Sequence, residues 1–117
     1  MDKLTYKELY GSKDMLIIDL HNSYSIIAIK IWNTEQNNYT VMLMLKENTV
    51  DRWSLIEDIE PLEFNTNYKF INSAILKKVS ELNDQGFFDY YVKRYEYELE
   101  CFDKGNEFFE KERRENV

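Results

Sequence analysis

Between residues 14 and 46 the chain alternates its side chains three times in succession, with only short polar breaks between the runs. Leu16, Ile18 and Leu20 share one face of the first run, Ile27, Ile29 and Ile31 one face of the second, and Tyr39, Val41, Leu43 and Leu45 one face of the third. A period of two in Ile, Val, Leu and Tyr is the pattern of a pleated strand, because successive side chains point to opposite faces. His21 to Ser23 forms a tight first turn and Asn33 to Asn38 a longer second one. Two short connections in a row require neighbouring strands to run antiparallel. The opposite faces are partly apolar as well, through Met15, Ile17, Ile26, Ala28, Met42 and Met44. The pattern therefore predicts a three-stranded antiparallel meander, covered on much of both faces or by a partner on one.

After the meander the period changes. Val50, Trp53, Ile56 and Ile59 recur at intervals of three. That spacing predicts a short helix, capped by Asn48 or Thr49 and ended before Pro61. Residues 62–64 read as extended. Ile71, Ile75, Val79 and Leu82 are spaced as one helix face over residues 67–83, with Asn65, Thr66 and Asn67 offering caps and Gly86 ending the segment. Phe88, Tyr95, Phe102 and Phe109 then recur every seven residues, which predicts a last and longest helix over residues 87–114, with a bend or break near Gly105. At the other end, residues 4–10 read as one or two turns of helix stopped by Gly11. The expected architecture is a single α+β domain over residues 1–117, a three-stranded antiparallel meander packed against two longer C-terminal helices.

A chain of 117 residues that is 44% hydrophobic and 15% aromatic can bury a core without disulfides or metals. Its one cysteine, Cys101, allows no internal disulfide and suits a reducing compartment. The first residues carry no apolar signal core, and the longest apolar runs, 15–18 and 41–45, are too short to cross a bilayer. The expectation is a cytoplasmic protein. The net charge of −7 argues against direct binding to nucleic acid or to an anionic membrane surface. The acids are uneven: residues 1–50 hold 6 acids against 5 bases, and residues 51–117 hold 16 against 10.

The motifs of catalysis are absent. One His and one Cys cannot supply a four-ligand zinc site. The chain has no Gly-rich phosphate loop, no dinucleotide fingerprint and no nucleophile elbow. Asp19 and His21 alternate on the first strand and could share a metal or a proton, though a polar strand end beside a turn explains them as well. Cys101 and His21 could serve as nucleophile and base, but nothing in the sequence brings them together, and a helical Cys among aromatics is ordinarily packing or inert surface. Glu57, Asp58, Glu60 and Glu63 could hold a divalent cation, but they do not match EF-hand spacing and fit a solvated acidic loop. The expectation is a protein that is not an enzyme and uses no cofactor.

What the residues favour is binding. Glu96, Glu100, Asp103, Glu107 and Glu110 are spaced 4, 3, 4 and 3. On a continuous helix they form one stripe roughly 21 Å long at 1.5 Å per residue. Like charges at these spacings cost about 0.2–0.5 kcal/mol each. A row of carboxylates on this scale can imitate a phosphate backbone and enter a basic groove, with electrostatic steering toward it. Pairing of Lys93 with Glu96, Lys104 with Glu100 and Lys111 with Glu107 would offset much of the repulsion, and a charge stripe opposite a core face is ordinary. Tyr6, Tyr10, Tyr90 and Tyr97 do not all fit the core stripes, and exposed Tyr beside acids makes a favourable contact surface. The aromatic helix, or an open sheet edge, could equally join two copies as a homodimeric adaptor.

The stretches DRWSLIEDIEPLEFNTNYKFIN (51–72) and FFDYYVKRYEYELECF (87–102), in a short acidic chain rich in Lys, Glu, Asn, Ile and Tyr, resemble small accessory proteins of low-GC Gram-positive phages and mobile elements. Such proteins include anti-CRISPR and other anti-defence inhibitors, several of which are acidic and block the DNA-binding surface of a nuclease. The resemblance implies an inhibitor of a host nucleic-acid-handling protein. Its contact sites would be the acidic helix stripe, with Tyr90 and Tyr97, and the cluster of Glu57, Asp58, Glu60 and Glu63.

Overall fold

The computed structural model describes residues 4–50, 53–56 and 61–115, with side chains described up to Phe102 apart from Leu55. The three expected strands are present as β2 (Met15–Asp19), β3 (Tyr24–Asn33) and β4 (Asn38–Glu47). They pair antiparallel in sequence order, with Ile18 opposite Ile26 and Ile26 opposite Leu45. The sheet is larger than a three-stranded meander. β1 (Tyr6–Glu8) pairs with β2, and β5 (Trp53–Leu55) and β6 (Leu62–Phe64) both pair with the outer edge of β4, making six strands.

Two sequence expectations are thereby corrected. Residues 6–8 are a strand followed by a 3-10 turn, Leu9–Gly11, rather than a helix. Residues 53–55 are a strand rather than part of a helix over 50–59. In both places the backbone N–H and C=O groups complete their hydrogen bonds on a ready-made sheet edge, which outweighs a weak local helical pattern. Asn48 caps no helix; its amide oxygen accepts a hydrogen bond from the Ser25 hydroxyl at 2.6 Å.

The two helices are α1 (Ile71–Asp84) and α2 (Phe87–Glu115). No side chain caps the start of α1; instead the Asn67 carbonyl accepts from the N–H groups of Phe70 and Ile71. Gly86, at φ +74°, takes the left-handed turn that separates the helices, a conformation costly for any residue with a side chain. α2 runs unbroken through Gly105, contrary to the expected bend. One glycine costs a helix only about 1 kcal/mol relative to alanine, so neighbouring turns can carry it.

The helices cover one face of the sheet. Leu16, Ile18, Ile26, Ala28, Val41, Leu43 and Leu45 on that face are buried against Ile71, Ile75 and Val79 of α1 and Phe88 of α2. Lys30 stands on the same face, half-buried, and its Nζ donates to the Asn72 side chain on α1 at 2.7 Å. Burial lowers the Lys30 pKa, a shift that the carboxylates of Asp14 and Glu8 oppose.

The second face has a smaller apolar cluster. Leu9 and Ile27 are buried yet stand outside the main core. Tyr10, at φ +54°, stacks its ring on Trp53 with centroids 6.5 Å apart and planes 16° from parallel. Tyr10 follows one edge strand and Trp53 lies on the opposite edge, so the sheet curls toward this face and the two rings close over it. Met15, Ile17, Ile29, Met42 and Met44 are half-buried there, and Ile31 is 44% exposed. The expectation of apolar character on both faces holds, with helices over one and a turn over part of the other.

Candidate functional site

Among the described side chains Phe87, Phe88, Tyr91, Val92 and Tyr95 join α2 to the core, Tyr95 being the last of them. The backbone continues as helix for 20 more residues, to Glu115. The long axis of the molecule is accordingly 62 Å and its radius of gyration 17.9 Å, against about 13 Å for a compact chain of this length. α2 therefore projects beyond the sheet.

At the point of departure Tyr24, buried at the start of β3, sets its ring edge-on to Tyr95 at 6.1 Å and donates its hydroxyl to Glu96 Oε1 at 3.1 Å. Burial first, then the Glu96 hydrogen bond and charge, pushes the Tyr24 pKa up to about 12. The free phenol loses its proton near pH 10, so the folded state keeps a proton that the unfolded chain has given up. This contribution to stability is intact below about pH 10 and is lost as pH rises toward about 12. Tyr24→Phe should therefore show a shallower fall in urea stability across that window than the natural chain. Equal slopes would mean that neither burial nor Glu96 shifts the phenol.

Of the acidic positions, Glu96 and Glu100 are exposed, with Glu96 held by Tyr24 rather than by Lys93 among the described residues. The side chains of Asp103, Glu107 and Glu110 lie outside the described ones, but their backbone belongs to the continuous helix, which keeps the 4, 3, 4, 3 spacing on one face. Tyr90 and Tyr97 are 61% and 66% exposed. A hydrogen bond to Cys101 is the main cause that raises the pKa of Tyr97. Arg94 pairs with Glu98 one turn on, at 3.3 Å. Leu99 and the exposed Phe102 border a shallow cavity of about 440 Å³ with Ser54, Tyr95 and Glu98. Glu57, Asp58 and Glu60 lie outside the described residues, and Glu63 is exposed on β6.

Asp19 and His21 meet through a turn rather than along a strand. β2 ends at Asp19, His21 has φ +61°, and the Asp19 carboxylate accepts from the His21 backbone N–H at 2.9 Å. Its other oxygen lies 3.9 Å from His21 Nδ1. The pair closes the turn into β3. Cys101 is exposed on α2. Among the described residues no three His, Cys, Asp or Glu side chains are grouped as metal ligands, and no helix is long and apolar enough to cross a membrane.

Sequence reasoning missed a second feature, at the end of the sheet remote from the β2–β3 turn. Trp32, 43% exposed near the end of β3, packs edge-on against Tyr39 of β4 with centroids 4.8 Å apart. On one side of Trp32 a groove of about 750 Å³ runs between Asn37, Tyr39 and the segment from Asn65 to Tyr68. On the opposite face of the sheet, that of Asn33, Thr40 and Glu63, a groove of about 480 Å³ is bordered by the β3–β4 turn, with Glu35 and Gln36. A Trp within two residues of an Asn- and Thr-rich turn was the available signal. The segment that completes the groove is some thirty residues further on, which no local pattern reveals.

The chain matches no family model, no curated protein and no solved structure.

Proposed function

We propose that this chain is a binding protein that presents α2 to a basic, nucleic-acid-binding surface of a partner protein, as an inhibitor encoded by a phage or mobile element would. The observation that carries the reading is the unbroken course of α2 from Phe87 to Glu115, beyond Tyr95, the last core contact among the described side chains. Residues 96–103 of this helix hold four acids and no base, of which Glu96 is bonded to Tyr24 and Glu98 to Arg94. Carboxylates at 96, 100, 103, 107 and 110 stand in for phosphates, and Tyr90 and Tyr97 add rigid contact area. A CRISPR nuclease is one partner of the kind that the sequence resemblance implies.

Glu96 is tied to Tyr24, so the test uses the positions beyond it. Glu100→Gln, Asp103→Asn and Glu107→Gln combined should leave the circular dichroism spectrum and the melting temperature within a few degrees of the natural values. The same variant should lose at least about tenfold in affinity for a partner isolated by tagged pull-down and displaced by excess double-stranded DNA, with steep weakening in salt. Unchanged affinity, or a partner indifferent to DNA and salt, defeats the proposal.

A second reading rests on Phe102, 65% exposed beside Leu99 on the projecting helix. Two copies joined along that stripe would form a homodimeric adaptor. Sedimentation distinguishes the two readings: a dimer stable in high salt and lost on Phe102→Ala supports the adaptor.

A further inference from the structure

We propose that the groove bordered by Trp32, Tyr39 and Tyr68 is a binding site for an uncharged saccharide built of pyranose rings with equatorial hydroxyls. Trp32, 43% exposed, borders this groove with its ring braced against that of Tyr39, centroids 4.8 Å apart. The bracing matters because a ring already held in place loses little freedom when a ligand stacks on it. Across the larger groove Tyr68, 82% exposed, offers a second aromatic surface.

The polar lining is made of amides and hydroxyls. Asn37, Asn65, Asn67 and Thr66 border the larger groove, which contains no charged side chain. Among the described residues the side chains of Asn37, Asn65 and Thr66 form no hydrogen bond within the protein, whereas Asn67 accepts from the Lys69 N–H at 3.0 Å. Each free amide offers both a donor and an acceptor, and a sugar hydroxyl does the same, so the two groups match in either direction. Pyranose rings with equatorial hydroxyls expose flat patches of C–H on both faces, which rest favourably on the electron-rich face of Trp or Tyr.

Charge narrows the ligand class. Glu35 and Glu63 border the smaller groove, and the whole chain carries −7. A phosphate-bearing ligand such as single-stranded nucleic acid, which also stacks on aromatics, would meet repulsion and find no Lys or Arg in either lining. The aromatic-plus-amide surface without cations therefore favours a neutral hydroxyl-rich ligand. The groove is shallow and open, which suits rings of a chain lying across it rather than an enclosed monosaccharide.

The test is titration of the full-length protein with cellotetraose and, separately, with tetra-N-acetylchitotetraose, read by the indole N–H resonances of the two tryptophans and by calorimetry. The expected result is saturable movement of the Trp32 signal with a dissociation constant on the order of 0.1–1 mM, the range of a shallow, wet site. Preference between the two probes reports whether acetamido groups are read. Trp32→Ala should weaken binding at least about tenfold, by the scale of a lost aromatic stack, and Asn65→Ala should weaken it severalfold. Trp53→Phe should leave binding unchanged. The partly exposed position of Trp32 keeps the variant folded, which its amide spectrum verifies. The proposal is overturned if neither saccharide moves the Trp32 signal at about 10 mM, roughly ten times the weakest expected dissociation constant, if binding survives Trp32→Ala, or if a single-stranded oligonucleotide binds the same site more tightly.

Discussion

Phe88→Ala lowers the unfolding free energy by about 3–5 kcal/mol, the range for removing a fully buried aromatic ring. Phe88 is 0% exposed and lies in the first turn of α2, where its ring belongs to the same core cluster as Ile71, Ile75 and Val79 of α1 and the inner face of the sheet. Phe87 packs edge-on against it at 5.4 Å. Removing the ring leaves a cavity at the junction of both helices and the sheet. Domains of this size hold about 5–15 kcal/mol in all, so the variant should be unfolded by far less urea than the natural chain. Phe102→Ala, at the same heptad position two repeats later but 65% exposed, should cost less than about 0.5 kcal/mol. A loss below about 1 kcal/mol for Phe88→Ala would mean that α2 is not seated as described.

Ile27→Asp is expected to prevent folding near neutral pH. Ile27 is 0% exposed on β3, yet it faces away from the helices, beneath the smaller cluster closed by Leu9, Tyr10 and Trp53. A carboxylate there must shed its water without a partner or take up a proton, and either route costs several kcal/mol. Ile31 lies four residues on, on the same strand and the same face, but is 44% exposed. Ile31→Asp should cost no more than about 1 kcal/mol. The contrast between the two, read by circular dichroism and urea titration, tests whether the second face contains a true core. Similar small effects for both would show that the turn at Leu9–Gly11 does not cover Ile27.

The elements that were legible in the sequence are those long enough to display a period. β2, β3 and β4 show alternation over five to ten residues, and α1 and α2 show helical spacing on either side of Gly86. β1 and β5 are three residues each, shorter than any pattern that separates strand from helix. At Trp53 the interval-three spacing even favoured the wrong element. Neighbouring backbone decided both segments, since an unpaired sheet edge satisfies their N–H and C=O groups as a helix of one or two turns could not.

The candidate surfaces divide in the same way. Acid spacing along α2 is a property of consecutive residues, so the stripe could be read directly once helix was assigned. Whether Gly105 broke it depended on the balance of the whole helix. The heptad of Phe88, Tyr95 and Phe102 is uniform in sequence, but its first member is fully buried, its second half-buried and its third exposed. That gradient exists because the sheet beneath α2 ends, and the width of the sheet was set by three short strands, of which only β6 was legible as an extended segment. The Trp32 grooves likewise needed residues 32–40 and 63–68 to meet at one end of the sheet. By itself, then, the sequence determined which segments alternate, which coil and where charge is concentrated, because those follow from the period of a local backbone. Only the tertiary structure decided which of those faces were buried, because burial depends on what packs against them from elsewhere in the chain.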